Sequence, residues 1–185
     1  MEYKIIRSRR KTLSAQIRQG QLEIRAPLRT TDAEIRSFLE KHRRWLEKHM
    51  MQSRALEQAK AGLRRLTPSE IAELAEKARR VFPERAAYYA PLIGVDYGRI
   101  TIRCQKTRWG SCSAKGNLNF NCLLMLAPDG VIDSIVVHEL CHRKHMNHSA
   151  KFYAEMEKAL PDYRRHQKWL QENGAMLLAL AEDTE

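Results

Sequence analysis

The chemistry of this chain is concentrated in Val136-Val137-His138-Glu139-Leu140-Cys141-His142, followed by His148. Two histidines four residues apart share one face of a helix, about one turn apart. Their imidazoles can converge on one cation with Glu139 beside them. This is the His-Glu-x-x-His pattern, in which the histidines hold zinc and the glutamate works on a metal-activated water. The flanking Ile132, Ile135, Val136, Leu140 and Cys141 are apolar, so the helix is expected to be buried. Ionisable groups on a buried helix need compensation, and a metal supplies it.

Two residues compete for the third ligand. On a continued helix His145 would share the face, but His138 to His145 then spans about 10.5 Å. Ligands along one straight rod cannot surround an ion. A turn near Asn147, a residue that tolerates left-handed backbone, would bring His148 back instead. We therefore favour His148 and read His145 as a cleft residue. Three protein ligands leave a fourth position for water, the catalytic rather than the structural zinc pattern, with one Zn2+ per chain.

The elements that must position this site are legible from periodicity. Leu13, Ala15 and Ile17, then Leu22, Ile24 and Ala26, alternate around Gln19-Gly20 as a β-hairpin. Thr31-Asp32-Ala33-Glu34 and Thr67-Pro68-Ser69-Glu70 are capping boxes that open helices. The second helix is expected to run to about Tyr89, with Pro83 a local break and Pro91 its end. Arg99–Arg103 and Asn117–Met125 alternate as strands, separated by a loop from Gln105 to Ser113. Lys151–Leu160 and the stretch from Tyr163 read as the last helices. An acidic, frayed ending follows. The expected class is α+β.

With 185 residues and 43% hydrophobic content, the chain suits a single domain, with or without an appendage. Residues 1–66 form a basic hairpin-and-helix region and 67–185 the region with the site, expected as one compact unit. Net charge is +11, and residues 1–66 carry 17 Lys/Arg against 7 Asp/Glu. Arg7, Arg9, Arg10 and Lys11 are therefore candidates for contacting DNA or another polyanion. No apolar run approaches membrane-spanning length. Charge within the opening Met1–Arg7 does not read as a signal peptide. Cys104, Cys112, Cys122 and Cys141 lack paired spacing and read as free thiols in the cytoplasm. The sequence gives no oligomeric state.

Arg9-Arg10-Lys11-Thr12-Leu13-Ser14, Arg108-Trp109-Gly110-Ser111-Cys112-Ser113, the His138–His142 stretch, Asn147-His148-Ser149 and Pro161-Asp162-Tyr163 together resemble the YgjP-like metallopeptidase family. That family is related to the SprT and Spartan-type zinc proteases. The resemblance implies a minimal zincin-like domain with an N-terminal β-hairpin and added helices. It implies His138, His142 and His148 as zinc ligands and Glu139 as catalytic base, acting on a peptide or protein substrate, in Spartan-like fashion near DNA. An extended substrate is expected to add to an edge strand at Asn117–Asn121, which makes Asn119 a contact. Arg108 and Trp109 are expected to line the cleft. Two other readings compete: a metal-dependent nucleoside triphosphate hydrolase, suggested by the cationic loop 99–115, and a basic nucleic-acid-binding module.

Overall fold

In the computed structural model, which describes residues 2–18 and 20–181, helices and two small sheets make an α+β protein. Gln19 of the hairpin turn and the acidic ending 182–185 lie outside the described residues. The chain divides into two compact units, Met1–Leu63 and Arg64–Glu185.

The first unit holds β1 (Tyr3–Ser8), β2 (Ser14–Arg18), β3 (Gln21–Pro27), α1 (Asp32–Lys41) and α2 (Arg43–Ala61). β2 and β3 are the antiparallel hairpin that the alternation predicts. The strand β1 went unread in the sequence. It runs parallel to β3 and gives the order β1-β3-β2. Leu22, Ile24 and Ala26 face Ile35, Leu46 and Met50 in a core of their own. Thr31 and Glu34 close the capping box that starts α1.

The second unit holds α3 (Pro68–Ile93), β4 (Ile100–Arg103), β5 (Gly110–Cys112), β6 (Leu118–Asn121), a 3-10 turn (Cys122–Leu126), α4 (Asp129–Cys141), α5 (Ala150–Ala159) and α6 (Tyr163–Ala179). α3 runs unbroken through Pro83 and Pro91, four residues beyond its expected end. Each proline removes one helical hydrogen bond. Burial of Ala78, Phe82, Ala86, Tyr89, Ala90 and Ile93 along one stripe outweighs that loss. Gly94, at φ 75°, then caps the helix in the left-handed region. The ring of Phe82 stacks on Phe120 at 4.3 Å, fixing α3 across the sheet.

That sheet has the order β4-β6-β5. β6 is parallel to β4 and antiparallel to β5. Two expectations are corrected here. The strand expected to run to Met125 stops at Asn121, because the side chain of Asn121 accepts from the Leu123 amide and turns the chain into the 3-10 helix. And β6 is the middle strand, not an edge, so its backbone is paired on both sides. No helix among the described residues is long and apolar enough to cross a membrane.

Candidate metal centre

α4 carries the site, and its neighbours pin it. The Arg85 guanidinium of α3 donates to Asp133 at 2.6 Å and Asp129 at 2.9 Å, both in the first two turns of α4. Those carboxylates also suit the positive end of the helix dipole. Val131, Ile132, Val136, Val137, Leu140 and Cys141 are buried in the core. The helix ends at Cys141 with His142 as its cap. The amides of Lys144 and His145 both bond the Cys141 carbonyl. The turn that frees the chain from the rod therefore begins directly after His142, earlier than Asn147. Ser149 then caps α5 by accepting from the Phe152 amide.

This turn brings three imidazoles together. Nε2 of His138 lies 3.2 Å from Nε2 of His142 and 3.1 Å from Nε2 of His148. The ligating atoms of the three lie within 4.8 Å of one another, a cluster able to hold a metal ion. The Nδ1 of His142 sits 3.0 Å from the carbonyl oxygen of His145. That bond puts the proton on Nδ1 and leaves Nε2 with a lone pair. Phe152, fully buried, lies under all three rings at centroid distances of 4.9, 4.8 and 4.9 Å. Tyr153 stacks on the outer side of His148 at 6.3 Å.

The electrostatics fit a cation. Burial, then the neighbouring imidazoles, push His138 down to about 4. Burial also lowers His142. Both rings are thus neutral, as a metal requires of its ligands. Lone pairs facing one another near 3 Å repel unless a proton or a cation lies between them. In a tetrahedral site with zinc–nitrogen bonds of about 2.0–2.1 Å, neighbouring nitrogens stand roughly 3.3 Å apart. The observed 3.1 and 3.2 Å separations agree with that.

Glu139 follows His138 on the same helix and is only 5% exposed. Burial pushes its carboxyl up to about 8, and a cation bound at the imidazoles would pull it back toward the ionised form. Its side chain lies directly against Gly110 of β5. Cys112, on the same face of β5, has its thiol pushed up by burial and then by Glu139.

The remaining sequence candidates fall elsewhere. His145 contributes its carbonyl to His142. Arg108 is exposed, and its carbonyl accepts from Asn121 Nδ2 at 2.9 Å. Trp109 packs its indole against Gly174 of α6. Asn119 pairs with Thr101 and Ser111 across the sheet, on the face opposite Phe120 and Gly110. It lines a polar groove of about 390 Å³ with Arg99, Arg103 and Ser111, away from Glu139. In the first unit, Arg7 donates to Asp32 at 2.8 Å and to the Thr30 carbonyl. Arg9 and Lys11 are exposed, and Arg10 is half-buried.

Three residues of the site's surroundings escaped sequence reasoning: Gly110, Phe152 and Arg85. Phe152 had a signal, since it stands four residues after His148 and four before the buried Met156. Gly110 and Arg85 act across distances that no local pattern encodes.

The family model described as YgjP-like, metallopeptidase domain, matches residues 11–73 and 68–173. Among solved structures, the metallopeptidase zymogen of Pyrococcus abyssi abylysin is similar at 20% identity and a TM-score of 0.45, over 50% of this chain and 94% of that one. The zymogen of Methanocaldococcus jannaschii jannalysin is similar at 19% identity and 0.42, over 50% and 97%. No curated protein matches the chain. The family match spans most of the sequence and includes every residue of the three-imidazole cluster, and the chain belongs to the YgjP-like metallopeptidase family.

Proposed function

We propose that this metallopeptidase hydrolyses peptide bonds at His138, His142 and His148 as ligands of one zinc ion, with Glu139 as general base. The observation that carries this is the convergence of three imidazole nitrogens on the helix that also carries the buried Glu139. When bound, zinc supplies a Lewis acid that polarises the scissile carbonyl and lowers the pKa of water to about 7.

The chain's own residues do the rest. The His145 carbonyl fixes the tautomer of His142. Phe152 packs against all three rings. The Glu139 carboxylate takes a proton from the attacking water as its oxygen bonds to the carbonyl carbon. It then hands that proton to the leaving nitrogen as the carbon–nitrogen bond breaks. β5 is the sheet edge beside Glu139, so an extended substrate pairs with β5 rather than with the central β6. Exposed Arg108, two residues before β5, would then be a substrate contact.

Glu139→Gln should retain one equivalent of zinc by elemental analysis and lose casein hydrolysis by about 10²–10⁴-fold. His148→Ala should bind zinc more weakly. Full casein hydrolysis by Glu139→Gln would refute the role given to Glu139. UTP, run in parallel, should not be turned over.

The charge of residues 1–66 supports a second element of this reading, contact with a polyanion such as DNA near the protein being cut. Exposed Arg9 and Lys11 carry it more readily than Arg7, which is held by Asp32. A gel shift at low salt, weakening as salt rises, is expected. Absence of any shift would exclude it.

A further inference from the structure

β5 passes so close to Glu139 that residue 110 has no room for a side chain. A Cβ on Gly110 would stand 2.6 Å from Glu139 Oε1, 2.9 Å from Cγ and 3.0 Å from Cδ. The described glycines with positive φ are Gly20, Gly94 and Gly116, so Gly110 is not required by its backbone angle. Close approach is the remaining reason for glycine here.

Both walls of this contact are fixed. On the β5 side, Gly110 pairs with Phe120. The Asn121 amide donates to the Trp109 carbonyl at 2.9 Å, and the Ser113 amide donates to Asn117 at 2.9 Å. The Trp109 indole is wedged so closely against Gly174 that a Cβ there would meet Cζ2 at 3.1 Å. On the α4 side, Arg85 holds Asp129 and Asp133, and Val136, Val137 and Leu140 are fully buried. Neither element can withdraw. A methyl group at position 110 would therefore move the carboxylate. The contact reaches Cγ and Cδ as well as the oxygen, so rotation of the terminal carboxylate alone would not relieve it.

We infer that Gly110 is a positioning residue for peptide hydrolysis, leaving in β5 the slot that seats the Glu139 carboxylate. Gly110 has no side chain to offer the reaction; it acts through Glu139, against which it lies. The inference rests on the reading of Glu139 as general base.

The test is a double-mutant cycle of Gly110→Ala and Glu139→Asp, with Glu139→Gln as a separate control. Zinc affinity and the thermal midpoint of the metal-free protein are measured beside kcat and KM. Gly110→Ala should lower kcat about 10²-fold, the scale of a misplacement near 1 Å. KM and zinc affinity should stay close to wild type. Aspartate, one methylene shorter, removes the shortest contact, that to Oε1 at 2.6 Å, and keeps the one at Cγ. Glu139→Asp should therefore cost less in the Gly110→Ala background than in wild type.

Full activity in Gly110→Ala overturns the inference. So do strictly additive effects, or a loss of activity matched by equal losses of zinc affinity and thermal stability. Full activity in Glu139→Gln overturns the general-base reading instead, so the two failures are distinct. Should Gly110→Ala not fold, Gly110→Ala/Glu139→Ala decides. Recovered folding places the clash at Glu139, and continued failure overturns the inference.

Discussion

Phe152 separates packing from metal binding, because its fully buried ring touches the three-imidazole cluster and the core together. It lies 4.8–4.9 Å from each of the three imidazoles and 5.4 Å from Tyr153. Truncation to alanine should cost about 3–5 kcal/mol through the cavity alone. Phe152→Leu is the sharper perturbation. It keeps most of the volume, so the metal-free protein should lose only about 1–1.5 kcal/mol. But leucine lacks the aromatic ring that meets all three imidazoles. Loss of support behind metal ligands typically weakens binding about 10–100-fold. The stabilisation that a metal gives the fold scales with the logarithm of its affinity. Each tenfold loss therefore removes about 1.4 kcal/mol from the loaded protein alone. The destabilisation by Phe152→Leu should be about 1.4–2.7 kcal/mol larger with excess zinc than with a chelator. Paired urea-unfolding curves read that difference, and competition with a chromophoric chelator reads the affinity directly. Equal destabilisation under both conditions would show that Phe152 fills the core and does nothing for the imidazoles.

Acid stability and thiol reactivity give further checks. The Arg64 guanidinium, then the Thr67 amide and hydroxyl, hold the Glu70 carboxyl down at about 2, against 4.5 ordinarily. Its contribution to stability is complete above the unfolded value and is lost as pH falls through the folded one. Wild type should lose stability more steeply than Glu70→Gln between pH 4.5 and about 2, measured by urea midpoints; parallel curves would remove Glu70 from the account. Cys104 is exposed, whereas burial pushes the Cys122 and Cys141 thiols up to about 12. Alkylation at neutral pH should label Cys104 first and spare Cys122 and Cys141 until the protein unfolds. Peptide mapping reads this, and early labelling of Cys141 would contradict the packing of α4.

Local physics wrote much of this molecule into its sequence. The capping boxes at Thr31 and Thr67, the alternation of Leu22, Ile24 and Ala26, and the four-residue spacing of His138 and His142 are short-range relations. Each follows from the geometry of one helix or one hairpin, so a linear reading recovers it. Tertiary packing decided the rest. Pro83 and Pro91 end helices by local rules, yet α3 continues because its buried stripe outweighs two missing hydrogen bonds. Asn117–Asn121 alternates like any strand, and only its pairing with both β4 and β5 makes it central. Gly110 reads as a loop glycine until β5 is laid against α4. Residue types and spacing determined which atoms could bind a metal and move a proton. Where those atoms stand was decided by Phe152, Gly110 and Arg85, which approach from separate elements. Their effect depends on close contacts between segments distant in sequence, and no periodicity along the chain encodes such contacts.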